Sequence, residues 1–135
     1  MTDHVSRKTY RLLIADDESH IVNILQMKLA RAGYDVRVAR DGQQAFEMAQ
    51  DDPPDLLITD YQMPRLTGLE LCQQLAQQPR TAGVPILMLT ARGFSIAADQ
   101  FASTRVVDVL SKPFSPNEIF TRVARLLGGA AQSAA

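Results

Sequence analysis

Short apolar runs alternate along the chain with stretches whose apolar residues recur at helical spacing. The runs at 12–15, 34–39, 56–59, 85–89 and 106–110 predict five strands, and the stretches that follow them predict five helices. In the second run, Val36 and Val38 share one face while Arg37 occupies the other, which is typical of a strand at the edge of a sheet. The predicted helix at 96–103 has weak apolar periodicity.

Polar residues and glycines mark the predicted helix ends. Ser19 is the predicted N-cap of the first helix, and Gly33 its stop, because glycine takes the left-handed conformation without strain. Gly128-Gly129 is expected to end the last helix. Three other helices are predicted to begin at a capping box, in which two residues three positions apart satisfy each other's backbone N–H groups. The pairs are Asp41 with Gln44, Thr67 with Glu70, and Ser115 with Glu118.

Strands that alternate with helices predict an α/β fold, in which a parallel sheet is covered by helices on both faces. In such a sheet, ligands bind outside the carboxyl ends of the strands. We therefore expect the residues that follow the strands to carry the function.

Charge and composition narrow the class of protein. The formal net charge is −1 and no basic run is longer than Arg7-Lys8, so we expect no nucleic-acid partner. No apolar run approaches the length that spans a bilayer, and residues 1–9 lack the apolar core of a signal peptide. We expect a cytoplasmic protein without a membrane partner, in which the lone Cys72 packs as a small apolar residue.

Three carboxylates, a hydroxyl and an ammonium are predicted to meet at the strand ends. Asp16 and Asp17 end the first strand, Asp60 the third and Thr90 the fourth, and Lys112 lies near the end of the fifth. Carboxylates this close repel one another, and a hard cation such as Mg2+ relieves the repulsion by binding their oxygens. The cation and Lys112 could offset the charge of a phosphoryl group on one carboxylate. Attack by that carboxylate on phosphorus needs no general base, because aspartate is already ionised near neutral pH.

Each of these residues also has an ordinary structural explanation. An Asp after a strand is commonly a turn former or an N-cap, and Asp16 and Asp17 could serve only to favour the start of a helix through its dipole. Thr90 could be a turn residue and Lys112 a solvated charge. The placement of suitable chemistry at several strand ends together favours the functional interpretation.

Four ordered motifs resemble the receiver domains of two-component response regulators. They are Leu12 to Glu18, Asp55 to Pro64 with Gly68 beyond it, Pro85 to Ala91, and Ser111 to Phe114. The resemblance covers roughly residues 9–128. It implies a doubly wound, flavodoxin-like three-layer sandwich with a five-stranded parallel sheet in the order 2-1-3-4-5 and five helices. It implies a receiver domain at 10–128, and the composition of the remaining residues predicts a polar arm at 1–9 and a disordered tail at 129–135.

The resemblance implies a role for each residue of the acidic site. Asp60 corresponds to the phosphoacceptor, and Asp17 and Asp60 to direct ligands of Mg2+, for which Mn2+ can substitute. Asp16 corresponds to the carboxylate that reaches the metal through water. The backbone carbonyl of Gln62 corresponds to the group that completes the coordination.

The resemblance further implies which residues respond to the phosphoryl group. Thr90 corresponds to the hydroxyl that moves towards it, Ala91 to the small residue beside it and Lys112 to the ammonium that binds it. The Lys112–Pro113 peptide bond is expected to be cis. Val109 departs from the family pattern, because an aromatic residue that reports phosphorylation often occupies this position.

The sequence therefore predicts a signalling switch and not an enzyme. A histidine kinase or a histidine phosphotransfer protein would donate the phosphoryl group to Asp60, and the output would be contact with an unknown downstream protein. We expect no DNA-binding module, because few residues follow the last predicted helix. One alternative is a receiver-like interaction module that no longer cycles phosphate.

Two enzyme or carrier functions fit the residues less well. A metal-dependent phosphohydrolase with an aspartyl-phosphate intermediate would carry an acid/base carboxylate where Gln62 stands. A nucleotide or flavin carrier would need a glycine-rich phosphate cradle after the first strand, where the sequence is Asp16 to Ser19.

Overall fold

Strands and helices alternate through most of the chain. The structure, a computed structural model, describes residues 9–63, 65–91, 104–111 and 115–127. Within these residues the strands are β1 (Arg11–Ala15), β2 (Asp35–Ala39), β3 (Leu56–Asp60), β4 (Ile86–Thr90) and β5 (Val106–Ser111). The helices are α1 (Ser19–Arg31), α2 (Gly42–Asp51), α3 (Gly68–Ala76) and α4 (Pro116–Leu126).

All five strands pair in parallel within one sheet, in the order β2-β1-β3-β4-β5. The predicted doubly wound order is therefore confirmed, and β2 lies at an edge as Arg37 indicated. Because parallel strands run in the same direction, all of their carboxyl ends lie at one end of the sheet. The register places Asp60 opposite Leu89 and Thr90 opposite Ser111.

Two separate apolar clusters cover the two faces of the sheet. Adjacent strand residues such as Leu12 and Leu13 belong to different clusters, because successive side chains of a strand point to opposite faces. Each leucine buried in this way contributes about 1.5–3 kcal/mol of burial free energy. The first cluster packs α1 and α4 on one face of the sheet, and the second packs α2 and α3 on the other. The helix residues in these clusters include Leu25, Leu29, Ile119 and Val123 in the first and Ala45, Ala49, Leu71 and Leu75 in the second.

Two predicted capping boxes are confirmed. The Thr67 side chain accepts from the Glu70 N–H while the Glu70 carboxylate accepts from the Thr67 N–H, and Ser115 and Glu118 repeat the arrangement at α4. Gly33 follows the end of α1 with φ of 101°, as a left-handed stop requires. These local signals fix where three of the helices begin or end.

Two other cap predictions are corrected. Ser19 is the first residue of α1 and not its N-cap, which is Glu18. At α2 the Asp41 side chain caps the Gln44 N–H, but the Gln44 side chain accepts from the N–H of Arg40, one residue earlier than a capping box requires.

The carboxyl end of α2 is tied to three other parts of the chain. Arg11 of β1, Arg37 of β2 and Arg80 beyond α3 donate hydrogen bonds of 2.7–3.2 Å to the backbone carbonyls of residues 50–53. Arg11 also forms an ion pair with the Asp52 carboxylate. Cations at this end complement the helix dipole and satisfy carbonyls that have no partner within the helix.

Some predictions fall outside the described residues. They are the helix at 96–103, the stop at Gly128-Gly129, the tail at 129–135 and all but the last residue of the arm at 1–9. Among the residues that the structure does describe, no helix is long and apolar enough to cross a bilayer.

Candidate functional site

The three predicted carboxylates meet at the carboxyl ends of the two central strands. Asp60 is the last residue of β3, and Asp16 and Asp17 directly follow β1, its neighbour in the sheet. One oxygen atom from each carboxylate lies within 4.8 Å of the others. The sequence prediction that these three residues converge is therefore confirmed by the geometry.

The three carboxylates differ in their exposure to solvent. Asp16 is fully buried and Asp60 is 6% exposed, whereas Asp17 is exposed. The cluster thus combines two buried carboxylates with one that solvent reaches. Three carboxylates that water can reach fit Mg2+. This ion binds one or two carboxylates directly and keeps several of its waters.

Backbone contacts hold the acidic cluster in place. The Asp16 side chain accepts a hydrogen bond of 2.9 Å from the N–H of Glu18, and the Asp16 N–H donates to the Ala39 carbonyl at 3.2 Å. Beyond Asp60, the Tyr61 N–H donates to the Leu89 carbonyl at 2.8 Å. The chain is therefore fixed by the neighbouring strand on each side of the cluster.

Thr90 and Ala91 lie at the same end of the sheet. Thr90 is the last residue of β4, the strand next to β3, and is 1% exposed, and Ala91 follows it with its side chain exposed. Lys112 and the Lys112–Pro113 bond lie outside the described residues. Ser111, which precedes them, ends β5 opposite Thr90.

Gln62 and Val109 are both at the surface. Gln62 is exposed two residues beyond Asp60, in the segment that leads from β3 to α3. Val109 is 41% exposed on β5 and lies opposite Met88 of β4. A small side chain therefore occupies the position at which an aromatic ring would be expected.

Two residues near the acidic cluster were not identified from the sequence. Arg40 donates a hydrogen bond of 2.6 Å from its Nη1 to the Ser19 hydroxyl, joining the end of β2 to the start of α1. Gly42, the first residue of α2, lies against Leu66 of the segment between β3 and α3. No short sequence pattern reveals these two contacts, because each one joins positions that are distant in the chain.

Cys72 is a packing residue, as predicted. It is fully buried in the second apolar cluster, and burial raises the pKa of its thiol to about 12. A thiol in this environment is neither a nucleophile nor a metal ligand near neutral pH. In the first cluster, burial and a smaller effect of Tyr10 raise the pKa of Tyr34.

Comparison with known proteins identifies the family. The sequence model of the response regulator receiver domain matches residues 12–124. In an alignment 125 residues long that covers 87% of this chain and 48% of the relative, the chain is 42% identical to the alkaline phosphatase synthesis transcriptional regulatory protein PhoP of Bacillus subtilis. The chain spans about half the length of the curated relatives that it matches.

Solved structures share the fold along almost their whole length. A putative response regulator from Chloroflexus aurantiacus is 39% identical, with a TM-score of 0.80 over 89% of this chain and 98% of that one. The receiver domain of a sensor histidine kinase from Pseudomonas aeruginosa is 26% identical, with a TM-score of 0.79 over 90% and 99%. That structure holds a magnesium ion in its active site cleft.

The matching sequence pattern covers most of the chain, and the sheet order and the acidic cluster agree with it. The relatives named above are regulators and signalling proteins. The chain belongs to the family of response regulator receiver domains, which act as signalling switches.

Proposed function

We propose that Asp60 accepts a phosphoryl group from the phosphohistidine of a histidine kinase or a phosphotransfer protein. A carboxylate oxygen of Asp60 forms the new bond to phosphorus, the bond from phosphorus to the donor's imidazole nitrogen breaks, and that nitrogen keeps the electron pair. The observation that carries this proposal is the cluster of three carboxylate oxygens within 4.8 Å at the ends of β1 and β3. Asp60 is the member of the cluster that belongs to a central strand.

The donor set supports a divalent metal beside Asp60. Asp17, Asp60 and the backbone carbonyl of Gln62 would hold Mg2+ directly, with Asp16 reaching it through water and Mn2+ as a substitute. The bound ion supplies positive charge that offsets the charge on the phosphoryl oxygens. Asp17 is exposed, so the ion and its waters have access from solvent. The magnesium ion in the related Pseudomonas aeruginosa receiver supports the same assignment.

Three residues of the chain would bind or respond to the phosphoryl group. Thr90 offers a buried hydroxyl at the end of the strand next to Asp60, and the exposed Ala91 beside it has a side chain too small to block a phosphoryl group. Lys112 would bring an ammonium from the end of β5, and we retain a cis Lys112–Pro113 bond as part of the proposal. A charge-assisted hydrogen bond to the phosphoryl dianion is stronger than one to water, which would draw the Thr90 hydroxyl towards it.

The output of the switch is proposed to be contact with a downstream protein. The formal net charge of −1 supports a protein and not a nucleic acid as the direct partner of this domain. We propose residues 10–128 as the receiver domain and the cytoplasm as its location, where histidine kinases present their phosphorylated histidine.

Intact mass after incubation with acetyl phosphate and Mg2+ tests the phosphoacceptor. The wild-type chain should gain one phosphoryl group, and Asp60→Asn should gain none, because an amide is neither anionic nor a competent nucleophile. Asp35→Asn makes the same charge change at the opposite end of the sheet and should label like the wild type. Equal labelling of Asp60→Asn would move the site to Asp16 or Asp17, and an unlabelled wild type would favour an interaction module that does not cycle phosphate.

A further inference from the structure

Residues 61–63 and 65–67, the described part of the segment that we call the β3–α3 loop, are held at both ends of that segment. At its start the Tyr61 N–H donates to the Leu89 carbonyl at 2.8 Å. At its end the Gly68 N–H donates to the Tyr61 carbonyl at 2.7 Å, so that the loop closes on itself. Met63 is 8% exposed and belongs to the second apolar cluster. The loop is therefore a short closed segment whose inner side packs on the core.

Leu66, near the end of the loop, lies against the first residue of α2. A Cβ atom built on Gly42 would lie 2.2 Å from the carbonyl oxygen of Leu66 and 2.6 Å from its Cβ. Real Cβ atoms do not approach other atoms below 3.0 Å, so the contact requires glycine at this position. Beside it, Arg65 Nε lies 3.5 Å from a carboxylate oxygen of Asp41.

Helix propensity does not account for this glycine. Glycine disfavours a helix relative to alanine, and Gly42 has no positive φ. The close approach of the Leu66 backbone accounts for it instead. Gly42 therefore sets how near the β3–α3 loop lies to α2.

We propose that Gly42 is a positioning residue for the metal site, because it lets the β3–α3 loop close against α2 and so places the Gln62 carbonyl towards the acidic cluster. The inference rests on the proposed function, in which Asp60 and the Gln62 carbonyl hold Mg2+. Leu66 and Gln62 lie in the same loop, whose ends are bound together through Tyr61 and Gly68. Because both ends of the loop are held, a displacement of Leu66 must be accommodated by the other residues of the loop, which include Gln62.

The variant Gly42→Ala tests the proposal, with Gly83→Ala as the matched control. A Cβ on Gly83 would meet nothing within 4 Å, so the control makes the same chemical change without a contact. We expect Gly42→Ala to bind Mg2+ roughly 10-fold more weakly in a calorimetric titration, the scale on which residues that support metal ligands act. Gly83→Ala should bind Mg2+ like the wild type.

The outcomes separate the inference from the function on which it rests. If the wild type binds Mg2+ and Gly42→Ala binds it equally well, the positioning role is wrong while the metal site stands. If the wild type binds no Mg2+, the proposed function fails and the inference fails with it. Thermal unfolding of both variants without metal distinguishes a positioning role from a general loss of stability. A general loss of stability would lower the melting temperature of Gly42→Ala but would leave the Mg2+ affinity of the folded protein unchanged.

Amide hydrogen exchange of the wild type keeps the inference testable if Gly42→Ala does not fold. Because coupling between sites is reciprocal, Mg2+ should slow exchange at the Gly68 N–H, which closes the loop, and at the Gln44 N–H, which Asp41 caps. The control amides lie at the opposite end of the sheet, at Asp35 and Asp55, and should not change. Protection confined to residues 16–18 and 60–62 would overturn the proposal.

Discussion

Thr90 and Ser111 lie opposite each other as the last residues of the parallel strands β4 and β5. Thr90 is buried at the end of its strand, and Ser111 is followed directly by Lys112. The register therefore brings Ser111, the residue before Lys112, to the same end of the sheet as Asp60 and Thr90.

Lys112→Ala should keep the fold but impair the response to phosphorylation. We expect a charged residue that follows the last strand to contribute little to the core, whereas its ammonium would bind the phosphoryl group and, before phosphorylation, the Asp60 carboxylate. Amide NMR shifts on addition of beryllofluoride, a phosphoryl mimic, measure the response and should be much smaller in this variant. Lys28→Ala removes the same charge from α1 and should respond normally. A normal response of Lys112→Ala would remove Lys112 from the site.

Asp17→Asn should weaken Mg2+ binding severely. Asp17 is proposed to bind the ion directly, and even residues that only support metal ligands change the affinity about 10- to 100-fold, so the loss of its negative charge should lower the affinity at least about 100-fold. Calorimetric titration measures the change, and Asp35→Asn provides the same charge change at an exposed position on β2. An unchanged titration of Asp17→Asn would contradict the metal assignment.

Phosphorylation should change the conformation mainly at residues 91–105. Val109 has a single χ1 torsion and a stiff side chain, so it cannot make the swing of an aromatic ring. The predicted helix at 96–103 lies outside the described residues, and the prediction rests on its weak apolar periodicity and on the nearby Gly93, since a switch needs an element with two conformations. Amide shifts on adding beryllofluoride should be largest there. Large shifts confined to the other end of the sheet, with 91–105 unchanged, would show the prediction to be wrong.

Cys72 should make the folded protein less stable at high pH. Burial raises the pKa of its thiol from 9.0 to about 12, so the unfolded chain loses this proton first as the pH rises. The contribution to the free energy of unfolding is complete below pH 9 and is lost between pH 9 and 12, at about 1.4 kcal/mol per pH unit.

Urea unfolding at several pH values tests this prediction by comparison with Cys72→Ala. The variant should lose stability less steeply above pH 9 than the wild type, although it is less stable at pH 7 because it lacks the buried sulfur atom. Parallel curves for the two proteins would mean that Cys72 does not titrate differently on folding. The native thiol should also resist thiol reagents at neutral pH, because it is fully buried.

The acidic cluster could be predicted from the sequence because its placement follows from general rules. Continuous apolar runs predict strands that are buried on both faces, and parallel strands bring the residues after them to one end of the sheet. These rules alone were enough to predict that Asp16, Asp17 and Asp60 lie together. Thr67 and Ser115 were predicted equally well, because a capping box lies within four consecutive residues.

The remaining features depend on contacts between distant parts of the chain. Glu18 is the N-cap of α1 and its N–H binds the Asp16 side chain, whereas the Ser19 hydroxyl accepts from Arg40. No local pattern contains that partner. The contact between Gly42 and Leu66 is of the same kind, because it requires the packing of α2 on the β3–α3 loop.

The arginines at the carboxyl end of α2 have a mechanical consequence. Arg11, Arg37 and Arg80 tie that end to two strands and to the turn after α3, whereas the other end meets the β3–α3 loop at Gly42. The carboxyl end of α2 is therefore fixed, and its amino end contacts the β3–α3 loop, which directly follows Asp60. A rearrangement at Asp60 that displaced this loop would tilt α2 about its fixed carboxyl end instead of sliding it along the sheet, so the displacement of the helix would be largest beside the site and would vanish at the far end.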